Sequence, residues 1–188
     1  MPAKDPGYLR QYIGDKDVGA LHPSSRYLVR RLVRCLRPEN IRTLVEFGPG
    51  PGVATRALLR ALPAGARYVA IEKNPAFLAA LRSSVADPRL SVVEGDACDV
   101  REILAAQGIG SVDAVIASIP FSFLSKASRA RLVEAVESLL ADDGDFVIFH
   151  QFSTLMRPLV KERFGRVRVL FEPRNIMPCF LIHCRKKP

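Results

Sequence analysis

The chain has 188 residues, of which 28 are Lys or Arg and 19 are Asp or Glu, so its formal net charge is +9. This length fits one domain with a full core, and 48% hydrophobic against 25% charged residues excludes a disordered or fibrous chain. No apolar stretch is long enough to cross a bilayer, and residues 1–17 lack the apolar core of a secretion signal. We therefore expect a cytoplasmic protein whose positive charge serves an anionic partner, which can be nucleic acid, an acidic membrane face or a small anion.

Two amphipathic helices are predicted in residues 1–38, which we interpret as an N-terminal helical segment. In the first, residues 6–15, four apolar side chains cluster on one side: Tyr8, Leu9, Tyr12 and Ile13. The second begins at Ser24 or Ser25, which can cap it, and ends before Pro38. Its apolar stripe lies opposite a basic face made of Arg26, Arg30, Arg34 and Arg37. Such a face is either solvated or a contact with lipid or RNA.

From residue 41 onward, short apolar runs alternate with helical patterns. The predicted strands are residues 43–47, 68–72, 90–94, 114–118, 146–151, 167–171 and 180–184, and the helices lie near 53–62, 76–86, 99–107, 126–141 and 155–164. Strands rich in Val, Ile and Leu without polar alternation are buried on both faces, so we expect an α/β fold with a mostly parallel, doubly wound sheet. The link 172–178 is too short for a parallel crossover, so the last two strands should pair antiparallel at one edge.

The four cysteines have no C-x-x-C spacing and lie in apolar runs: Cys35, Cys98, Cys179 and Cys184. This pattern predicts reduced, buried thiols. No metal site is predicted.

A glycine-rich turn follows the first predicted strand, with glycines at alternate positions: Gly48, Gly50 and Gly52. Glycines let the backbone turn sharply, and the N–H groups at the start of the next helix favour a carboxylate or phosphate. The dinucleotide fingerprint needs a sixth-position glycine where Val53 stands, and no Gly-Lys-Ser/Thr follows. Nicotinamide, flavin and P-loop sites are therefore disfavoured.

Acidic residues end the next two predicted strands. Glu72 comes 22 residues after Gly50 and could accept hydrogen bonds from both hydroxyls of a ribose. Asp96 could accept from an adenine amino group while Ala97 donates its N–H. Each acid alone could be a helix cap or a surface charge. Together with the glycine turn they predict a pocket for an adenine nucleoside with a zwitterionic tail.

With these pieces, Glu46 to Gly52, Ile71-Glu72 and Gly95-Asp96-Ala97, the chain resembles the class I S-adenosylmethionine-dependent methyltransferases. The resemblance implies a single Rossmann-like domain over residues 39–188, with seven strands and an antiparallel last strand. It also implies that the cofactor S-adenosylmethionine is bound by Glu46, Gly48, Gly50, Gly52, Glu72, Asp96, Ala97 and Ser118. In that family the glycine loop holds the methionine part, the acid after the second strand holds the ribose, and Asp96-Ala97 lies at the adenine.

The end of the fourth predicted strand faces the methyl group in this family, which makes Ser118, Pro120 and Phe121 the candidate catalytic residues. Proline fixes the turn, and Phe121 can lay an aromatic face near the sulfonium. Relatives that methylate planar nitrogens carry Asn or Asp where Ser118 stands, and those that dimethylate ribosomal RNA adenine read Asn-Leu/Ile-Pro-Phe/Tyr. This chain keeps Ile-Pro-Phe without the amide, which weakens an RNA acceptor.

A closer resemblance is to the bacterial phospholipid N-methyltransferases, which convert phosphatidylethanolamine stepwise to phosphatidylcholine. It rests on three segments in register: residues 19–25 (GALHPSS), 118–120 (SIP) and 174–178 (RNIMP). The chain departs from that family after the fifth strand, where residues 150–153 contain no tyrosine, and at Cys179, where a second proline is usual.

The phospholipid resemblance implies an acceptor that needs no dedicated triad, because an amine has only to be deprotonated, aligned and shielded from water. The candidate substrate-binding residues are Tyr8, Tyr12, His22, Tyr27 and Arg174. Aromatic rings accommodate methylated ammonium groups, Arg174 would hold the lipid phosphate, and His22 would accept a proton or donate to the phosphate. Core packing of the tyrosines and a surface salt bridge of Arg174 are the alternatives.

We therefore predict a phospholipid-amine N-methyltransferase bound peripherally to the inner membrane face. The helix at residues 6–15 and the basic face of residues 26–37 would lie in an anionic membrane surface. An rRNA adenine N6-methyltransferase is the second hypothesis, favoured by the net charge and by Ile-Pro-Phe. A cofactor-fold binding protein without turnover is the third.

Overall fold

The computed structural model describes residues 24–151, 153–175 and 177–187. Its α-helices are α1 (Arg26–Leu36), α2 (Val53–Ala61), α3 (Pro75–Ser84), α4 (Val100–Ala105), α5 (Lys126–Leu139) and α6 (Arg157–Arg163). Its strands are β1 (Thr43–Phe47), β2 (Arg67–Glu72), β3 (Leu90–Glu94), β4 (Val112–Ala117), β5 (Leu140–Gln151), β6 (Arg166–Glu172) and β7 (Cys179–Arg185). The predicted helix at residues 6–15, with Tyr8 and Tyr12, and the candidate His22 lie outside the described residues.

In the described ranges seven strands form one sheet in the order β3-β2-β1-β4-β5-β7-β6. Strands β1 to β5 run parallel to one another, whereas β7 lies antiparallel between β5 and β6. The prediction of a doubly wound, mostly parallel sheet with an antiparallel pair at one edge is therefore confirmed.

Helices cover both faces of the sheet, because alternate residues of each strand point to opposite sides. Val45 and Phe47 of β1 pack in a core that includes residues of α4, α5 and α6. Leu44 of the same strand packs on the other face with residues of α1 and α2. The parallel strands consequently place their carboxyl ends along one edge of the sheet, between the two helical layers.

Helix α1 forms as its amphipathic pattern predicts. The side chain of Ser25 accepts a hydrogen bond from the Leu28 N–H at 3.3 Å, and the helix ends at Arg37, whose φ is 48°. The apolar stripe is buried at Leu28, Val29, Leu32 and Leu36. Helix α1 therefore belongs to the same core as the sheet, against which its apolar side packs.

Two local predictions differ from the structure. Strand β5 begins at Leu140 rather than 146, and its register with β4 shifts between Val112 and Ala114. The extra residues include Asp143, which has a φ of 58° and no apolar pattern to reveal it. Cys98 is exposed, so the prediction of four buried thiols is wrong there, because Cys98 lies on the short 3₁₀ turn Ala97–Asp99.

The described part of the chain contains no cluster of three or more His, Cys, Asp or Glu side chains suited to a metal ion. Within the same ranges, no helix has both the length and the apolar character that a membrane span requires.

Candidate active site

The glycine turn after β1 is a tight loop in which all three glycines have positive φ, at 67°, 53° and 76°. A Cβ on Gly48 would lie 2.9 Å from the Ser118 carbonyl oxygen, and one on Gly52 would collide with Leu81. A Cβ on Gly50 would meet nothing within 4 Å. The loop is thus packed against protein at its two ends and faces open space at Gly50.

Glu72 ties this loop to the end of β2. Its side chain is 7% exposed; Oε2 accepts a hydrogen bond from the Gly50 N–H at 3.1 Å, and Oε1 accepts from the Asn74 N–H at 2.9 Å. Burial raises the pKa of this carboxyl, although the backbone donors oppose the shift. A carboxylate offers about four lone-pair positions, so both oxygens can still accept from a ligand.

Asp96 lies beyond β3 at the same edge, since Glu72 and Glu94 are register partners. Its carboxylate accepts from the Cys98 N–H at 2.9 Å and lies 3.4 Å from the Lys73 ammonium. Burial opposes ionisation of Asp96, but the Cys98 and Lys73 donors outweigh it and lower the pKa. Asp96 is therefore an ionised, half-exposed acceptor that also caps the turn containing the buried Ala97.

Glu46 lies buried between β1, β2 and the first turn of α2. It accepts hydrogen bonds from the Thr55 hydroxyl at 2.6 Å and from the Tyr68 hydroxyl at 2.7 Å, both on Oε2. Burial raises the pKa of this carboxyl to about 7. Among the described residues, Oε1 has no hydrogen-bond partner.

The segment after β4 brings Ser118 beside the glycine loop. The Ser118 N–H donates to the Phe47 carbonyl at 2.9 Å, which extends the pairing of β1 with β4 beyond the strand end. After Pro120, the ring of Phe121 is fully buried in the core, 6.2 Å from the ring of His150. The predicted contact between Phe121 and the acceptor stays a prediction. Phe123, which sequence reasoning missed, is 66% exposed in the same turn.

His150 stands at the end of β5, next to β4 in the sheet. Its Nδ1 lies 2.9 Å from the Gln151 carbonyl oxygen, which can only accept, so Nδ1 carries the proton and Nε2 bears a lone pair. Burial lowers the pKa of this imidazole. His150 is therefore a neutral ring with one basic nitrogen at physiological pH.

Two predicted substrate-binding residues lie together at the same edge of the sheet, because the end of β5 and the end of β6 are both register partners of Cys179. The guanidinium of Arg174 stands 4.4 Å from the centroid of the Tyr27 ring, and its Nε donates to Oε1 of Glu172 at 2.7 Å. Arg174 lies on the link between β6 and β7, and β6 is three strand positions from β4, roughly 14 Å at the usual strand spacing. The structure thus brings the glycine loop, Glu46, Glu72, Asp96 and Ser118 together at the ends of β1 to β4, a region that we call the cofactor edge. It pairs Tyr27 with Arg174 further along the same side of the sheet, beyond β5.

The cofactor edge fits the S-adenosylmethionine that the sequence predicts. Open space at Gly50 leaves room for a ligand against the backbone. The vacant lone pairs of Glu72 suit a ribose diol, and the unpartnered oxygen of Glu46 suits an ammonium group. Glu46, Gly50 and Glu72 are the residues that would hold the methionine and ribose parts.

Comparison with known proteins gives two kinds of match in sequence. A family model described as a methyltransferase domain matches residues 44–144. The ornithine lipid N-methyltransferase of Singulisphaera acidiphila is 32% identical over 169 residues, which are 89% of this chain and 88% of that protein. Ribosomal RNA small subunit methyltransferase A of Caulobacter vibrioides is 43% identical over 97 residues, which are 50% of this chain but 35% of that longer protein.

Solved structures agree on the fold. N-methyltransferase NodS from Bradyrhizobium japonicum WM9 superposes with a TM-score of 0.72 at 14% identity, covering 87% of this chain and 96% of that one. Aeropyrum pernix fibrillarin, solved with bound S-adenosyl-L-methionine, superposes with a TM-score of 0.62 at 16% identity over 79% of this chain and 68% of that one. Taken with the family match and the relative aligned over nearly its full length, the glycine loop and strand-end acids lead to one conclusion: the chain belongs to the class I S-adenosylmethionine-dependent methyltransferases.

Proposed function

We propose that this enzyme transfers a methyl group to the primary amine of a membrane-lipid head group, converting phosphatidylethanolamine stepwise towards phosphatidylcholine. The observation that carries the proposal is the similarity, over 89% of this chain, to a lipid N-methyltransferase. The three sequence segments shared with phospholipid N-methyltransferases support the phospholipid head group.

The cofactor supplies an electrophilic methyl group on a sulfonium. The protein has to hold that group still and expose it on one side. We expect Glu72 to fix the ribose through both carboxylate oxygens, Asp96 and Ala97 to select the adenine, and the backbone at Gly50 to lie against the methionine part. The close contact of Gly48 with the Ser118 carbonyl then sets the distance between the donor loop and the acceptor side.

On the acceptor side, the lipid amine must lose a proton and stay out of water. The lone pair on Nε2 of His150 makes this residue the described group best suited to receive that proton. Ser118 and Pro120 shape the turn beside it, and the exposed ring of Phe123 can contact the methylated ammonium. Tyr8, Tyr12 and His22 are proposed for the same pocket from sequence, and Tyr27 and Arg174 for the lipid phosphate.

Ornithine lipid is the second candidate acceptor, because the similar enzyme from Singulisphaera acidiphila is named for it. Both lipids present a primary amine at the membrane surface, so the same deprotonation and alignment apply. An rRNA adenine acceptor is supported by partial matches and by Ile-Pro-Phe, but Ser118 lacks the amide expected for a planar nitrogen.

The decisive experiment supplies methyl-labelled cofactor to the purified protein together with three vesicle types and total ribosomal RNA. The vesicles contain phosphatidylethanolamine, ornithine lipid, or phosphatidylglycerol alone, and label is counted in the lipid and RNA fractions. We expect label in phosphatidylethanolamine and none in phosphatidylglycerol. Label confined to ornithine lipid would make ornithine lipid the acceptor in place of phosphatidylethanolamine. Label confined to RNA would overturn the proposal.

A further inference from the structure

A groove of about 620 Å³ lies between α1 and the edge strand β6, on the opposite side of the sheet from α5. Among the described residues that line it are eight arginines and a single glutamate. The Ser25 N–H donates to the Asn175 side chain at 2.8 Å, which joins the start of α1 to the β6–β7 link at one end of the groove. We call this surface the arginine groove.

Buried carboxylates hold part of the arginine groove in place. Glu172 is fully buried and accepts from Arg31 at 2.9 Å and from Arg174 at 2.7 Å, which lowers its pKa to about 2. Asp145 likewise accepts from His183 at 2.7 Å and from Arg185 at 3.0 Å. These pairs fix three arginines as a framework.

Five further arginines complete the lining: Arg30, Arg34, Arg37, Arg166 and Arg168. Within the part of the chain that the structure describes, no carboxylate lies within ion-pair distance of any of them. Two facing rows of unneutralised guanidinium groups, one on a helix and one on a strand, repel each other unless an anion lies between them. Arginine forks match phosphate oxygens in pairs.

The other face of β6 is apolar. Arg166 and Arg168 point into the groove, so the alternate residues Val169 and Phe171 point away from it. Val169 is 36% exposed and Phe171 is 48% exposed. Two of the four exposed large hydrophobic side chains of the described residues thus lie on the outermost strand of the sheet, beside the unneutralised arginines.

We infer that β6 and the arginine groove form a docking surface for anionic phospholipid, with head-group phosphates between the two arginine rows and Val169 and Phe171 in the lipid interface. This inference rests on the proposed lipid substrate and locates the membrane contact. Single-stranded RNA fits less well, because base stacking needs free aromatic faces. The ring of Tyr27 in the groove lies against the Arg174 guanidinium, and the ring of Phe171 lies against that of Phe180, with 5.0 Å between the ring centroids.

The test is sedimentation of the full chain with vesicles of phosphatidylcholine, with and without phosphatidylglycerol. The variant Arg166→Gln/Arg168→Gln removes two groove charges, and Arg101→Gln/Arg131→Gln removes two exposed charges from helices on the opposite face. We expect the groove variant to lose about tenfold or more in affinity for anionic vesicles, and the control to bind like the parent. Equal loss in both variants would overturn the inference.

Two further arms sharpen the result. Phe171→Ser should weaken binding to anionic vesicles most at high salt, where charge attraction is screened, and unchanged binding would overturn the apolar part of the inference. Binding of a single-stranded RNA oligonucleotide is measured in the same buffer. A larger loss of RNA binding than of vesicle binding in the groove variant would overturn the choice of lipid.

Methyl transfer in neutral detergent micelles separates this inference from the proposed function, because micelles need no docking to a charged surface. The groove variant should keep parental transfer to phosphatidylethanolamine there. Lipid methylation without groove-dependent vesicle binding would reject the docking surface alone. Groove-dependent vesicle binding without any lipid methylation would reject the proposed acceptor alone.

Discussion

Carboxylates at the cofactor edge and in the arginine groove serve different partners. At the cofactor edge, Glu72 accepts from the backbone N–H groups of Gly50 and Asn74, which belong to adjoining loops. In the arginine groove, Glu172 binds the side chain of Arg31, which is 141 residues away in sequence. The Glu72 arrangement is local in sequence, and it leaves carboxylate lone pairs vacant for a ligand. The Glu172 arrangement is assembled by the fold, and it holds arginine side chains in place for an anionic ligand.

This difference has a practical meaning for function. A site made from loops beside their own strands is specified by a short motif and changes little with distant mutations. A surface made from a helix at one end of the chain and a strand at the other depends on the whole sheet. We therefore expect mutations at the cofactor edge to change ligand affinity or, where the side chain or glycine is packed against protein, stability, and mutations of the groove carboxylates to change stability.

The largest effect is expected for Glu72→Ala on cofactor binding. Two hydrogen bonds from ribose hydroxyls to a carboxylate contribute about 1.5 to 3 kcal/mol each, so affinity for S-adenosylmethionine should fall by about a hundredfold or more. Titration calorimetry measures it. The matched control is Glu94→Ala, the exposed register partner, which should bind like the parent. If Glu72→Ala bound the cofactor with the affinity of the parent, Glu72 would not hold the ribose.

The pH dependence of stability should reveal Glu46. Its folded pKa of about 7 exceeds the ordinary 4.5, so its contribution is fully present below pH 4.5 and is lost as pH rises through 7. From this group alone, the free energy of unfolding should fall by as much as about 3 kcal/mol between pH 5 and pH 8. Urea unfolding of Glu46→Gln should show a flatter profile; a parental slope in the variant would contradict the assignment.

Two glycines of the same loop should respond differently to one methyl group. Gly48→Ala should lose about 2 to 3 kcal/mol of unfolding free energy, since the added Cβ meets the Ser118 carbonyl and φ is positive. Gly50→Ala should lose only about 1 kcal/mol of unfolding free energy, from the strain of a positive φ. Its Cβ would instead occupy the open space where we expect the ligand. Denaturant unfolding of both variants checks the order, and equal losses would contradict the packing described for Gly48.

The smallest effects are expected among the groove ion pairs. Glu172→Gln leaves Arg31 and Arg174 without their carboxylate and should cost about 2 kcal/mol of unfolding free energy. Arg174→Gln should cost less than Glu172→Gln, because the Arg174 side chain is 56% exposed and solvent screens its ion pair. The folded pKa of Glu172, about 2, lies below 4.5, so its contribution is present above pH 4.5 and is lost as pH falls through 2. A cost of Glu172→Gln that does not decline below pH 4.5 would refute the pairing.

Most of the fold and the acids of the cofactor edge could be predicted, because each strand and the residues that follow it form one short, continuous sequence pattern. Buried parallel strands are short apolar runs, so the predicted residues 43–47 and 90–94 coincide with β1 and β3. The glycine loop and Glu72 follow directly from strand ends, where chain direction fixes their position. The start of β5 was missed because Asp142, Asp143 and Gly144 disfavour strands.

The arginine groove could not be predicted in the same way. The basic face of α1 was visible, but Arg31, which contacts Glu172, lies between that face and the apolar stripe. Glu172 follows the last apolar residue of its strand, and burial gives such a carboxylate no sequence signal. The burial of Phe121 could not be predicted either, because the sequence around Ile-Pro-Phe does not distinguish Phe121, which is buried, from Phe123, which is exposed.

The central claim is that Glu72 and the open backbone at Gly50 receive the methyl donor. A crystal structure with the product S-adenosylhomocysteine tests it most directly through the distances from the ribose hydroxyls to the Glu72 carboxylate. We predict both at hydrogen-bond length, about 2.5 to 3.0 Å, with the amino acid part against Gly50. A ligand whose ribose lies away from Glu72, or a loop that closes over Gly50 and excludes it, would contradict the account.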